Sequence, residues 1–284
     1  LKQFYQFLLH LHLQLLIGAD LKMKSLKSSD DQLLVELVKI NVLFDLKRIK
    51  HNSIKDLVVS FTQKPLDTIF SREDIFHCLK NISISIKNGD HIGLLGRNGS
   101  GKTTLCQVLS GNIHPNEGSI SRNCKIRSVY HSTTHLFPEL SGRENAKILT
   151  RLLYPSVSKL ELKEISEESI SFSDLGIFAN APIKTYSKGM STRLLLSLVT
   201  ARPSELLIMD ELFDGADQFF MDKFTPRLES IIQRSNSTLF INHDINLLKK
   251  YCNRIIVLNE GEVCFDGMPL KGFYFYENQN WLTR

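Results

Sequence analysis

The chain has 284 residues, a formal net charge of +5, 42% hydrophobic residues and 23% charged residues. These values exclude a disordered chain and a strongly basic nucleic-acid binder, and they suit one sizeable globular domain with a modest extension. Five cysteines at irregular spacing, with no C-x-x-C pair, exclude a disulfide framework and a zinc ribbon and fit reducing surroundings.

The first apolar stretch, Phe4 to Ile17, is short for a bilayer span and carries Gln6, His10, His12 and Gln14. It faintly resembles a signal peptide. The chain opens on Leu1 and its first methionine is Met23, so residues 1–22 read as sequence upstream of the true start or as a loosely attached helix. Residues 1–32 are set apart as an N-terminal extension, 33–275 as the main domain and 276–284 as a tail. The run Lys47 to Lys55 is the densest basic stretch. It suits either a solvated face or one turned toward acidic lipid headgroups or a membrane partner.

From Leu33 to Phe44, β-branched and apolar residues are dense enough to predict a strand. Residues 45–78 are mixed, with a short helix expected over IKDLVVSF. Alternation of Ile82, Ile84 and Ile86 predicts an amphipathic strand, and Asn88-Gly89 a tight hairpin turn. Ile92 to Leu95 reads as a short buried strand that runs into a glycine loop. A helix follows through Leu105 and ends at Gly111. Residues 140–180 are polar and helix-rich, and Thr192 to Ala201 is an apolar helix stopped by Arg202-Pro203. Leu206 to Met209 and Thr238 to Ile241 are short buried strands. Ile255 to Leu258 and Val263 to Phe265 flank Gly261 as a last hairpin. This order predicts an α/β core with an antiparallel β subdomain and a helical subdomain.

Gly96 to Thr103, GRNGSGKT, matches the phosphate-loop pattern G-x-x-x-x-G-K-[ST]. Its glycines let backbone N–H groups turn inward around phosphate oxygens, and the next helix points its N-terminus at the same charge. Gly96, Arg97, Asn98, Gly99, Ser100, Gly101, Lys102, Thr103 and Thr104 are therefore the candidate ATP-binding residues. Lys102 supplies positive charge to the terminal phosphates, and the Thr103 hydroxyl suits Mg2+. Leu206 to Glu211, LLIMDE, is an apolar strand that ends in two acids. It would deliver Asp210 to the metal shell and Glu211 to the attacking water as general base.

The remaining motifs select among phosphate-loop enzymes. Tyr186 to Met190, YSKGM, resembles the LSGGQ signature of ABC ATPases, with Ser187 and Gly189 on its serine and second glycine. Asn242-His243-Asp244 looks like the family's switch histidine segment, and Ala216-Asp217 stands where its D-loop lies. YSKGMSTRLLLS and ELSGREN (139–145) are similar to segments of ABC ATPases that export capsule, O-antigen and teichoic acid. So are ELVKINVLF and HNSIKDL near the start.

The resemblance implies a P-loop NTPase ABC cassette with a RecA-like core, binding ATP and Mg2+. It implies a head-to-tail homodimer in which Ser187, Gly189 and Asp217 complete the partner's nucleotide site. His243 would contact the γ-phosphate beside Glu211 and Lys102, and Phe44 would stack on adenine, with Phe61 as rival. A separate polytopic permease, a lipid-linked polysaccharide as cargo, no nucleic acid, and a peripheral place on the cytoplasmic face of a bacterial inner membrane are expected. An ABC ATPase for another cargo, such as a lipid or drug, and a soluble non-transport ABC ATPase are the alternatives. Two departures from the family stand out: SVYHSTTHLFP (128–138) has no glutamine before L-F-P, where His131 or Ser132 is nearest, and Lys188 replaces a glycine.

Overall fold

The computed structural model describes residues 32–45, 75–130, 136–210, 216–242 and 244–278. The expected helix over IKDLVVSF, Phe61, His131, Ser132, Glu211 and His243 lie outside them.

Two sheets organise the described chain. Strands β1 (Leu33–Asp45), β2 (Ile75–Lys87) and β4 (Glu117–Arg122) form an antiparallel sheet in the order β2-β1-β4. The six-stranded sheet also contains β3 (His91–Leu95), β5 (Ile126–Tyr130) and β6 (Leu206–Asp210), with β7 (Ser237–Ile241), β8 (Arg254–Asn259) and β9 (Glu262–Gly267) completing it. Its order is β5-β6-β7-β3-β8-β9, parallel throughout except for β9.

Asn88-Gly89 makes a tight turn, with the Asp90 N–H donating to the Lys87 carbonyl at 3.1 Å. It is not a hairpin turn: β2 and β3 belong to different sheets. The turn transfers the chain between layers, held by the Gly89 N–H on the Asn236 carbonyl at 2.8 Å. Dipeptide chemistry fixes the local reversal, not which sheet the exiting strand joins.

The parallel strands alternate between two cores, as strands covered on both faces must. Leu206 and Ile208 join the cluster between the sheets, with Ile92 and Leu94 of β3 and Leu105, Cys106 and Leu109 of α1 (Lys102–Leu109). Leu207 and Met209 face the other way. There they meet Phe220 and Phe224 of α5 (Gln218–Arg234), Leu248 of α6 (Ile245–Tyr251) and Phe273 of α7 (Pro269–Asn278).

Helices α2 (Gly142–Leu153), α3 (Lys159–Phe172) and α4 (Lys188–Val199) build the helical subdomain around Leu149, Leu194 and Leu198. Each starts at a serine whose hydroxyl accepts a backbone N–H three residues on: Ser141, Ser158 and Ser187. Such caps each stabilise a helix start by about 1 kcal/mol.

Candidate functional site

The phosphate loop leaves β3 at Leu95 and re-enters helix at Lys102. Gly96 has φ +154°, and a Cβ there would stand 2.3 Å from the Leu258 carbonyl oxygen and 2.5 Å from Ser100 Oγ. No side chain fits at this position.

Lys102 folds back across the loop. Its Nζ donates to the Gly96 carbonyl at 2.7 Å and the Arg97 carbonyl at 3.1 Å, and the residue is buried. Ser100 Oγ is buried without a hydrogen-bond partner among the described residues. The loop closes against the β8–β9 turn through the Gly261 N–H on the Ser100 carbonyl at 3.1 Å.

Helix α1 differs from its neighbours at its start. Gly101 is its N-cap, no side chain caps it, and its first turn carries no acid. Helices α2 to α6 are each capped by a serine or aspartate side chain. No side-chain cap and no first-turn acid thus compete at the start of α1, where the helix dipole favours an anion.

Asp210 ends β6, whose five residues are all buried. In register it lies beside Ile241, the last residue of β7, and β7 in turn neighbours β3. Parallel pairing thus brings Asp210, the phosphate loop and Asn242 to the same carboxyl edge, with one strand between Asp210 and the loop. The Cys106 thiol, one turn into α1, feels both charges of that edge. Its pKa is pushed well up by burial and by the Asp210 carboxylate, and lowered by Lys102.

The two threonines part company. Thr104 Oγ1 accepts the Cys78 thiol of β2 at 3.2 Å, whereas Thr103 is exposed. A buried acid, an exposed hydroxyl, a lysine and an orphaned serine hydroxyl around an uncapped helix start fit a Mg2+–triphosphate. These are hard oxygen donors for the metal and N–H donors for the phosphates. Among the described residues no cluster of three or more His, Cys, Asp or Glu gathers to hold a metal by itself. Arg97 and Asn98 are exposed on the loop's outer side.

Phe44, near the end of β1, pairs in register with Phe76 of β2. Phe44 is half-buried against the inter-sheet core, and Phe76 is 48% exposed. Phe76 escapes a sequence reading because the mixed composition of 45–78 hides where β2 begins. Only the pairing shows that this aromatic faces β1, two residues before the cysteine that reaches Thr104.

Ser187 and Gly189 begin α4 on the surface of the helical subdomain, where the Ser187 hydroxyl accepts the Met190 N–H at 3.2 Å. Their neighbours Tyr186 and Met190 pack in the helical cluster, apart from the inter-sheet core around α1. Asp217 caps α5 by accepting the Phe220 N–H at 2.9 Å, and its carboxylate pairs with Arg193 of α4 at 3.6 Å. The chain thus assembles the phosphate loop and Asp210 at one edge, while its signature residues form a separate surface.

The ELSGREN and YSKGM segments meet. Gly142 lies against Tyr186 so closely that a Cβ there would stand 2.1 Å from the phenol oxygen. That phenol donates to the Phe178 carbonyl at 2.7 Å. Ser141 and Glu144 form a reciprocal capping box. Asn145 is fully buried: its Oδ1 accepts the Phe137 N–H at 2.7 Å, and its Nδ2 donates to the carbonyls of Phe137, Leu140 and Ser141 at 3.1, 3.1 and 2.9 Å. A side chain saturated in this way fixes the approach to α2.

Comparison with known proteins agrees with this architecture. The family model described as "ABC transporter" matches residues 79–214. The O-antigen export system ATP-binding protein RfbE of Yersinia enterocolitica is 37% identical over 68% of this chain and 80% of its own length. The teichoic acids export ATP-binding protein TagH of Lactococcus lactis is 32% identical over 80% of this chain, which spans 46% of that relative's length. Among solved structures, a dimeric ATP-binding cassette in a post-hydrolysis state bound to ADP and Pi superposes with a TM-score of 0.63. It is 21% identical and covers 83% of this chain and 99% of that one, a likeness of fold. With its phosphate loop, acidic strand end and signature helix arranged as described, the chain belongs to the ABC transporter family and carries that family's ATP-binding, ATP-hydrolysing cassette.

Proposed function

We propose that the chain is the ATPase subunit of an ABC transporter that exports a surface polysaccharide through a separate membrane-spanning permease. The observation that carries the ATPase part is the start of α1: uncapped, free of acid, and bordered by Lys102 and the orphaned Ser100 hydroxyl. Gly96 to Thr104 would bind the phosphates, with Lys102 exchanging its loop carbonyls for phosphate oxygens. Phe44, joined by Phe76, would form the adenine platform.

Thr103 and Asp210 would hold Mg2+, which when bound neutralises phosphate charge. Glu211 would act as general base and His243 as the γ-phosphate switch. Ser187, Gly189 and Asp217 would complete the site of a second copy, because within one chain the signature surface stands apart from the phosphate loop.

The polysaccharide cargo is supported by relatives whose names are O-antigen and teichoic acid export proteins, together with the likeness of the ELSGREN and YSKGM segments to those of such exporters. No helix among the described residues is long and apolar enough to cross a membrane. The permease, a lipid-linked polysaccharide and a peripheral place on the cytoplasmic face of the inner membrane are the corresponding proposals.

The test is a trapped complex. Glu211→Gln with Mg·ATP is expected to bind nucleotide without turnover and to run as a dimer in size-exclusion chromatography. Mass spectrometry of what it retains from solubilised membranes is expected to find a polytopic permease and lipid-linked glycan. Normal hydrolysis by Glu211→Gln would overturn the base assignment. Recovery of ribosomes or DNA in place of a permease would overturn transport.

A further inference from the structure

The C-terminal helix α7 reaches the nucleotide edge. It lies on β8 so tightly that a Cβ at Gly272 would stand 2.6 Å from Cβ and Cγ2 of Ile255. Phe273 is buried beside it and carries the Lys249 ammonium of α6 over its ring at 5.4 Å. The helix is therefore clamped against both β8 and α6, and its register is set by a residue that only glycine satisfies.

Tyr276 falls on the same face as Gly272 and Phe273, at the helical spacings of four and three residues. It is half-buried, and it lines a small cleft with Leu94, Gly96, Lys102, Asn242 and Ile245. Two of these belong to the phosphate loop and the start of its helix. Of the others, Asn242 opens the turn between β7 and α6 and Ile245 follows it. That turn is only Asn242 to Asp244, pinned by the Asp244 N–H on Asn242 Oδ1 at 2.7 Å and the Asn246 N–H on Asp244 Oδ1 at 2.9 Å. In the sequence His243, proposed above as the γ-phosphate switch, falls between Asn242 and Asp244.

We propose that Tyr276 is a positioning residue for ATP hydrolysis. Its ring is a wedge, delivered by the clamped C-terminal helix, that holds the Asn242–Asp244 turn at a fixed distance from Gly96 and Lys102. Neither flank needs to touch substrate through Tyr276. The ring fills the space into which the turn would otherwise relax, and misplacement of a reacting geometry by an ångström slows chemistry strongly while binding persists. This inference rests on the ATPase reading above and deepens it, because it assigns a role in turnover to a segment beyond the nucleotide motifs.

The test uses the full chain and compares steady-state kcat and KM for Mg·ATP, with melting temperature, across five proteins: wild type, Tyr276→Ala, Tyr276→Phe, Phe275→Ala and Lys102→Ala. Phe275 stacks on Phe265 at 5.5 Å and does not line the cleft, so it reports the stability of the helix alone. Tyr276→Ala is expected to lose about tenfold in kcat with KM changed by less than about twofold. Tyr276→Phe is expected to restore kcat, and Phe275→Ala to melt earlier with kcat intact. Wild-type kcat in Tyr276→Ala, a slow Tyr276→Phe, or an equal loss in Phe275→Ala would overturn the wedge. If wild-type turnover is abolished by Lys102→Ala yet indifferent to Tyr276→Ala, this inference fails alone. If wild type shows no turnover beyond Lys102→Ala, the ATPase reading fails and takes the inference with it.

Discussion

The Arg193 guanidinium of α4 stands 3.6 Å from the Asp217 carboxylate, which also caps α5. One carboxylate thereby joins the helix that begins with Ser187 and Gly189 to the loop that precedes α5. Asp217 is 55% exposed at its side chain, so the ion pair itself contributes little, on the order of 0–1 kcal/mol. The cap contributes more. Asp217→Asn keeps an N-cap acceptor and is expected to cost a few tenths of a kcal/mol, whereas Asp217→Ala is expected to cost about 1 kcal/mol. Urea unfolding of the two variants checks this: equal losses would mean the charge, not the cap, carries the residue's contribution.

Gly142 and Tyr186 give a second prediction. Alanine at 142 places a methyl 2.1 Å from the phenol oxygen and 3.1 Å from Cζ, so something must move. Gly142→Ala is expected to lose about 1–3 kcal/mol, the range for overpacking. Removing the hydroxyl with Tyr186→Phe relieves the closer contact, so the double variant is expected to be more stable than the sum of the singles. Strict additivity in a double-mutant cycle would mean that the two segments do not meet as described.

The buried thiols set a pH dependence. Burial pushes Cys124 and Cys252 up from 9.0 to about 12. Between those values the unfolded chain loses thiol protons that the folded chain keeps. The folded state then binds more protons, and stability falls as pH rises from about 9 toward 12. Cys252→Ala is expected to flatten that fall relative to wild type when urea midpoints are compared at pH 8, 9.5 and 10.5. Parallel curves would mean the thiol ionises as freely in the folded protein as in the unfolded one.

Much of this was legible in the sequence because the signals are local. The phosphate loop is a contiguous pattern whose glycines have a steric reason, and Leu206 to Met209 reads as a buried strand because it is short, apolar and ends in acids. The signature segments were recognisable as words, but their reason was not. That Gly142 makes room for the Tyr186 phenol is a contact between segments distant in sequence, invisible to periodicity. The Asn88-Gly89 pair signals a hairpin for the same cause, since sheet membership depends on partners far along the chain. Phe76 and Tyr276 carry no such signal, because an aromatic in a mixed or terminal segment has no local mark of the edge it reaches.

The metal and phosphate assignments predict a linkage effect that separates them. A nucleotide that binds the folded state alone stabilises it by about 2.7 kcal/mol at one hundred times its dissociation constant. Wild type is therefore expected to melt higher with Mg·ATP than without nucleotide. Lys102→Ala should lose most of that gain whether or not Mg2+ is present, because its Nζ lies at the loop carbonyls Gly96 and Arg97 where phosphate oxygens would come. Asp210→Asn is close in size and stays buried, so it should keep the gain from ATP in EDTA and lose only the increment that Mg2+ adds. Thr103→Val, at the exposed first turn of α1, should behave like Asp210→Asn. Differential scanning fluorimetry of the four proteins with ATP plus EDTA and with Mg·ATP reads both increments. An Asp210→Asn variant that gains as much from Mg2+ as wild type would remove Asp210 from the metal shell, leaving the phosphate loop assignment intact.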